Sequence, residues 1–187
     1  MNTTTRPQPN LGQGDHSFRK GQVDRPKSEF EEHVLQVDRV SRTVKGGKRA
    51  RFRALVIIGN RNGKIGMGVG KSAEVAEAVS KASIYAKRHI LEIPIVNETI
   101  PYPIEINRGA AHLILKPAKP GTSVIAGGTI RVICNLAGIK NLVSKILGTA
   151  NKINNAQTMM EALKILKDKV DNKATEKAEK DLKNEAK

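Results

Sequence analysis

Tryptophan is absent from this chain, and the other aromatics are few: Phe18, Phe30, Phe52, Tyr85 and Tyr102. Proteins that grip single-stranded RNA stack bases on such side chains, so stacking is not the main device of this one. Cysteine is nearly absent too. Cys134 stands alone, which excludes an intramolecular disulfide and suits a reducing compartment. No stretch approaches the roughly 18 apolar residues of a membrane-spanning helix, and no lipidation signal is present at either end. The first twenty residues lack the apolar core of a signal peptide, and Asp15 and Asp24 argue against an organelle transit peptide. A cytoplasmic location is expected.

The most informative shortage is of acid. Between Arg39 and Ala73 there are ten Lys or Arg and no Asp or Glu; from Ile106 to Met160 there are seven and again no acid. The whole chain of 187 residues carries a net charge of +15, with a pI of about 10.1. Charge this one-sided destabilises a compact state by self-repulsion. A polyanion would offset the repulsion and release condensed counterions on binding. Most of the acids lie before Arg39 or after Met160, so the folded middle is the more basic part, and structured RNA is the leading partner.

Apolar periodicity divides the chain. Residues 1–28 are polar, with Pro7, Pro9 and Pro26, and are expected to form a disordered tail. Val34, Leu35, Val37, Val40 and Val44 mark a first strand, followed by a flexible basic loop, Lys45 to Arg49. Residues 51–58 form a second strand that becomes wholly apolar at Leu55-Val56-Ile57-Ile58. Gly59-Asn60-Arg61-Asn62-Gly63 signals a hairpin turn, and Lys64 to Val69 is the return strand. There Ile65, Met67 and Val69 alternate with Gly66, Gly68 and Gly70, so one face is bare backbone. Such a face admits another backbone or a phosphate, or simply relieves sheet strain. Ser72 is placed to cap a helix whose apolar face is Val75, Ala78, Val79, Ala82 and Ala86. Lys87 and Arg88 suit its C-terminus.

The β-β-β-α run forms a first domain over residues 29–93. Pro94, Pro101 and Pro103 mark a boundary. Residues 94–168 form a second, also α+β. Ile104 and Ile106, then Ala111, Leu113 and Leu115, give two strands. Ile130, Ile133, Cys134 and Ala137 share one helical face that Gly138 ends. Leu142 to Leu147 reads as a strand, with a helix close behind. Ala156, Met159, Met160, Leu163, Leu166 and Val170 form a closing helix that frays from Asp168, leaving 169–187 as a charged tail.

Arg42, Lys45, Lys48, Arg49, Arg51 and Arg53 fall within twelve positions. On a strand Arg49, Arg51 and Arg53 project to one face. A solvated surface normally mixes signs and this one does not, so polyanion contact is favoured. Gly70-Lys71-Ser72 imitates the end of a phosphate-cradling loop, but that loop needs Gly where Ile65 stands. Nucleotide hydrolysis is therefore disfavoured, while Gly70, Lys71 and Ser72 remain candidates for one RNA phosphate at a helix N-terminus. Gly63-Lys64-Ile65-Gly66 has the G-x-x-G of KH domains in the wrong setting, opening a strand rather than joining helices. His16, His33, His89 and His112 are scattered with no zinc-ligand spacing, and no nucleophile–base–acid set can be assembled. No catalytic residue, metal or cofactor is expected. The run Gly121 to Gly128 leads into a helix. It reads as a tight loop for close packing more readily than as the phosphate turn of a nucleotide-using enzyme.

Four segments together resemble the bacterial-type family of small-subunit ribosomal protein five. They are Val40-Ser41-Arg42-Thr43-Val44-Lys45-Gly46-Gly47; Gly63 through Gly70-Lys71; Gly121-Thr122 with Ile125-Ala126-Gly127-Gly128; and Gly148 with Asn151 and Asn154. Their order spans residues 30–166. The resemblance implies a double-stranded-RNA-binding-like β-β-β-α domain followed by a ribosomal-type α+β domain. It implies a structural constituent of the small ribosomal subunit, bound to ribosomal RNA beside small-subunit proteins four and eight, close to where messenger RNA enters. Subunit assembly and translational accuracy would be its roles. The RNA-binding residues would be Arg42, Lys45, Gly46, Gly47, Lys48, Arg49, Arg51 and Arg53, supported by Arg61, Lys64 and Lys71. Thr122, Ser123 and Arg131 would face protein four. Ser123 stands where the family usually has Gly, Lys152 where it often has Pro, and the N-terminal tail is longer than in many members. A free double-stranded-RNA binder acting off the ribosome is the alternative; the basic second domain argues against it.

Overall fold

The computed structural model describes residues 29–185, with side-chain surroundings as far as residue 172. The expectation for residues 1–28 lies outside them. Among the described residues, two four-stranded sheets and three helices make up the fold.

The first sheet has the order β1-β2-β3-β4, built from Glu31–Val44, Gly47–Gly59, Lys64–Ser72 and Ile90–Glu92, all antiparallel. β4 is a short strand that sequence reading placed in no element. It pairs Ile90 with Gly66 and Glu92 with Lys64. The basic loop expected over Lys45–Arg49 is only a two-residue turn, Lys45-Gly46, because Val44 pairs with Gly47 and Thr43 with Lys48. Glycines at the tip let the chain reverse tightly, so Lys48 and Arg49 belong to β2.

Helix α1, Val75–Arg88, lies on one face of this sheet. Its fit explains the glycine alternation. Residues four apart on a helix rise about 6 Å, and residues two apart on a strand about 6.6 Å. Ala78, Ala82 and Ala86 therefore step in near register with Gly70, Gly68 and Gly66. A Cβ on any of these glycines would collide with the backbone carbonyl of the facing alanine. The bare face receives another backbone, that of a helix. This closes Gly70 to a phosphate and corrects one sequence expectation. Ser72 does not cap α1 either. It ends β3 and donates its hydroxyl to Glu77, while Glu74 occupies the N-cap position without a side-chain bond.

The second sheet has the order β5-β6-β8-β7, from Ile104–Arg108, Ala111–Pro117, Leu142–Gly148 and Val124–Ile125. β7 runs parallel to β8, and α2, Gly128–Ala137, connects them. The segment at Leu142 is a strand, settling that ambiguity. α3, Lys152–Glu185, runs on well past Asp168 instead of fraying there. The Ala, Glu, Lys and Leu of that stretch are strong helix formers even without an apolar face to bury.

One hydrophobic core joins the two halves. Leu55, Ile57 and Ile65 of the first sheet are buried with Ile130, Ile133 and Leu136 of α2 and with Leu113, Leu142, Met159 and Leu163 of the second half. The opposite face of β2 contributes Ala54, Val56 and Ile58 to the layer under α1. Burial on both faces is why Leu55 to Ile58 is an unbroken apolar run.

Candidate nucleic-acid interface

β1 and β2 outrun their neighbours. β3 ends where Ser72 pairs with Phe52, so residues 47–51 of β2 pair only with β1. The two strands continue as a ribbon for about 17 Å at strand spacing. The register fixes which cations share a face. Val40 opposes Arg51, Arg42 opposes Arg49, and Arg53 lies between Asp38 and Lys71. Arg42, Arg49, Arg51, Arg53 and Lys71 thus form one surface, the face turned away from α1. Val40, Ser41, Arg42, Val44, Arg49, Arg51 and Lys71 line a groove of about 310 Å³ on it. Val44 is exposed at its end.

Two details refine the sequence reading. Arg53 is held by Asp38, with Nη2 2.7 Å and Nε 3.2 Å from the same carboxylate oxygen. The Arg53 hydrogen bond, and behind it the one from Gln36, hold the Asp38 carboxyl below the usual carboxylate range. Arg53 is thereby largely spoken for, whereas Arg42, Lys45, Arg49, Arg51 and Lys71 have no ion-pair partner among the described residues. Lys48 points to the other face, opposite Thr43, a face that Arg39 shares further along β1. Arg39 was counted in the basic window but not singled out. Its exposed place on the ribbon adds it to the cationic set. Gly46 and Gly47 form the tip, with nothing within 4 Å of the space a side chain would fill.

Arg61 and Lys64 belong elsewhere. They lie at the opposite end of β2, roughly 40 Å from the tip at strand spacing. Arg61 bonds Glu31 through Nε at 2.8 Å, and Lys64 pairs with Glu92 at 3.6 Å. The turn carrying Arg61 is a joint between the halves. The last carbonyls of a helix lack partners within it. Here the N–H of Arg61 donates to Leu136 O at 2.9 Å and that of Gly63 to Ala137 O at 2.8 Å. Gly138, at φ 90°, ends α2 in the left-handed region and leaves no room for a Cβ against the Arg61 carbonyl.

Arg61, Ser123, Arg131 and Lys140 line a cleft of about 740 Å³ beside this joint. Ser123 and Arg131 are therefore brought together, and Arg61 joins them rather than the ribbon. Thr122 is exposed in the preceding turn. Ser123 adopts φ 66°, a conformation that glycine takes without strain. The side chain of Asn141, itself buried, steadies this turn by accepting the N–H groups of Gly121 and Ser123, each at 3.1 Å. The Gly121–Gly128 run thus serves as a packing turn. Cys134 is core, and burial pushes its thiol up to about 12.

The fold and these surfaces define a basic, two-sheet α+β protein whose cations gather on a projecting β-ribbon. The family model for the N-terminal domain of ribosomal protein S5 matches residues 30–94, and that for its C-terminal domain matches residues 107–177. The chain is 49% identical to the small ribosomal subunit protein uS5 of Thermotoga maritima over 140 residues, covering 75% of this chain and 79% of that one. It is 47% identical to the protein of the same name from Thermus thermophilus over 154 residues, 82% of this chain and 95% of that one. The small ribosomal subunit protein uS5c of Cyanophora paradoxa is 46% identical over 142 residues, 75% of this chain and 84% of its own. The chain belongs to the ribosomal protein S5 family.

Proposed function

We propose that the β1–β2 ribbon anchors this chain to ribosomal RNA, and that the rest of the molecule meets neighbouring proteins of the small subunit. As a member of the S5 family the chain is a structural, non-enzymatic constituent of the small ribosomal subunit. The observation that carries the RNA reading is the ribbon itself: Arg42, Arg49, Arg51 and Lys71 on one face, with no carboxylate there except the one occupied by Arg53. Contacts of this kind neutralise phosphates and read shape; the ribbon's only aromatic, Phe52, is partly buried against the α1 layer, so base stacking has little part.

The finer assignments are part of the same reading. In the cleft of Arg61, Ser123, Arg131 and Lys140, Arg61 is paired with Glu31 and Lys140 with Glu98, so Arg131 is the cation offered to protein four, with Thr122 on its approach. Protein eight is a second neighbour. Placement beside the path where messenger RNA enters gives the chain its part in assembly and accuracy, within the cytoplasm.

Three measurements test this. In a high-salt sucrose gradient of cell lysate the chain is expected to sediment with the small subunit. A chain left at the top would favour a free double-stranded-RNA binder. Replacing Arg49 or Lys48 by Ala is expected to weaken RNA binding across sequences and to reduce the salt slope by about one unit each. An unchanged slope would put those side chains in solvent. Reversing the charge at Arg131 is expected to raise misreading in a reporter; wild-type fidelity would remove the protein-four assignment.

A further inference from the structure

The few Phe and Tyr side chains of the described residues are packed, with one exception. Phe30 and Phe52 lie against the layer under α1, and Tyr102 lies against the common core. Tyr85 stands 51% exposed on α1, with Ile84 beside it equally exposed. The fold does not call for it there, because α1 meets the sheet through Ala78, Ala82 and Ala86.

Residues three and four apart on a helix are neighbours, so Tyr85, Arg88 and His89 form one patch. His89 stacks on Tyr85, with ring centroids 4.2 Å apart and planes 25° apart. Its Nδ1 lies 2.9 Å from the Tyr85 carbonyl oxygen. A carbonyl only accepts, so Nδ1 carries the proton and Nε2 is the ring nitrogen left for a ligand. Such a bond to the end of a helix needs no aromatic ring at position 85. The stack adds a second constraint, and fixing both rings in advance lowers the ordering cost of binding.

The charge beside the rings is positive. Arg88 has no ion-pair partner among the described residues. Glu32, which reaches α1 from β1, is occupied by Ser83 at 2.7 Å and Lys87 at 2.8 Å. Aromatic faces with a cation alongside suit an unpaired base and its phosphate, whereas paired bases keep their faces inside the duplex. The patch is also distinct from the ribbon groove. Ala86 packs on Gly66, which pairs with Ile58; that is roughly 23 Å along β2 from Arg51, on the opposite face of the sheet.

We propose that the C-terminal turn of α1 is a second RNA site, where one unpaired base stacks on the Tyr85–His89 pair and Arg88 holds its phosphate. The inference rests on the ribosomal reading above and adds a mode of contact that the ribbon lacks. Ribosomal and messenger RNA share this chemistry, and the test separates them.

Intact small subunits are irradiated with short-wavelength ultraviolet light, which joins bases to the aromatic rings they stack on, and the peptides are read by mass spectrometry. Adducts on ribbon peptides are the internal control. A nucleotide adduct is expected on Tyr85 or His89. If it forms in subunits free of messenger, the base is ribosomal; if it forms only once a 4-thiouridine messenger is bound, and carries that label, the base is the messenger's. Tyr85→Ala is expected to cut the His89 adduct several-fold and Tyr85→Phe to keep it, with the melting temperature of the free chain unchanged in both. Ribbon adducts with none at Tyr85 or His89 in either sample would overturn the second site alone, as would a His89 adduct indifferent to Tyr85→Ala. A chain found outside the subunits would overturn it together with the ribosomal reading.

Discussion

The two ends of β2 are one strand under two regimes. From Leu55 to Ile58 every side chain is buried, alternately beneath α1 and within the core shared with the second half. From Gly47 to Arg51 the same strand has only β1 for company, and Lys48, Arg49 and Arg51 stand in solvent. What separates them is the number of layers packed on the strand. Two layers exclude charge and demand a continuous apolar run. No layer leaves the pattern to the partner, and a run of like charge survives there because nothing in the fold has to bury it. Stability resides at one end and the proposed RNA contact at the other, so each is expected to be alterable with little effect on the other.

The sharpest way to break this contrast is at the buried end. Ile57→Ala removes a fully buried side chain from the joint between the halves, and is expected to cost about 2–5 kcal/mol in urea unfolding. Arg49→Ala at the exposed end should stay within about 0.5 kcal/mol. Equal losses would show that the ribbon also supports the fold. Glycine gives a second, smaller contrast. Gly68→Ala drives a Cβ into the Ala82 carbonyl, whereas Gly46→Ala at the tip meets nothing within 4 Å. The first should lose about 1–3 kcal/mol by overpacking and lower the melting temperature; the second should leave it in place.

The smallest effect lies where the regimes meet, at Asp38 and Arg53. Because Arg53 depresses the Asp38 pKa, the pair's contribution is present above the unfolded carboxylate value, about 3.9. It is lost as pH falls through the lower folded value. The pair is partly exposed, so Asp38→Asn should cost under about 1 kcal/mol at neutral pH. Its stability gap from the parent should close below about pH 4. A gap that persists in acid would mean that Asp38 acts through packing or through Gln36 rather than through charge.

Much of this was legible beforehand. The apolar run 55–58, the turn at 59–63, the α2 face ending at Gly138 and the acid-free windows all came from local pattern, and each corresponds to an element observed. β4 and β7 were not legible, because three and two residues carry no periodicity of their own. The extent of α3 was misjudged, since fraying was inferred from a missing apolar face although backbone propensity alone continues a helix. The purpose of Gly66, Gly68 and Gly70 stayed open until a helix was found against them. In the candidate interface, the shared face of Arg49, Arg51 and Arg53 followed from strand alternation. The pairing of Arg53 with Asp38, and the removal of Arg61 and Lys64 to the far end, did not.

By itself the sequence determined where strands and helices form and that the folded middle is cationic, because propensity, turn chemistry and net charge are local or additive quantities. Tertiary structure alone decided which cations are neutralised, that Arg42 and Lys71 join the face of Arg49 and Arg51, and that one core spans both halves. Those outcomes depend on register between strands far apart in the chain. A shift of one residue would turn every side chain of β2 to the other face, and only the packing of α1 and α2 against opposite sides of that strand holds it where it is.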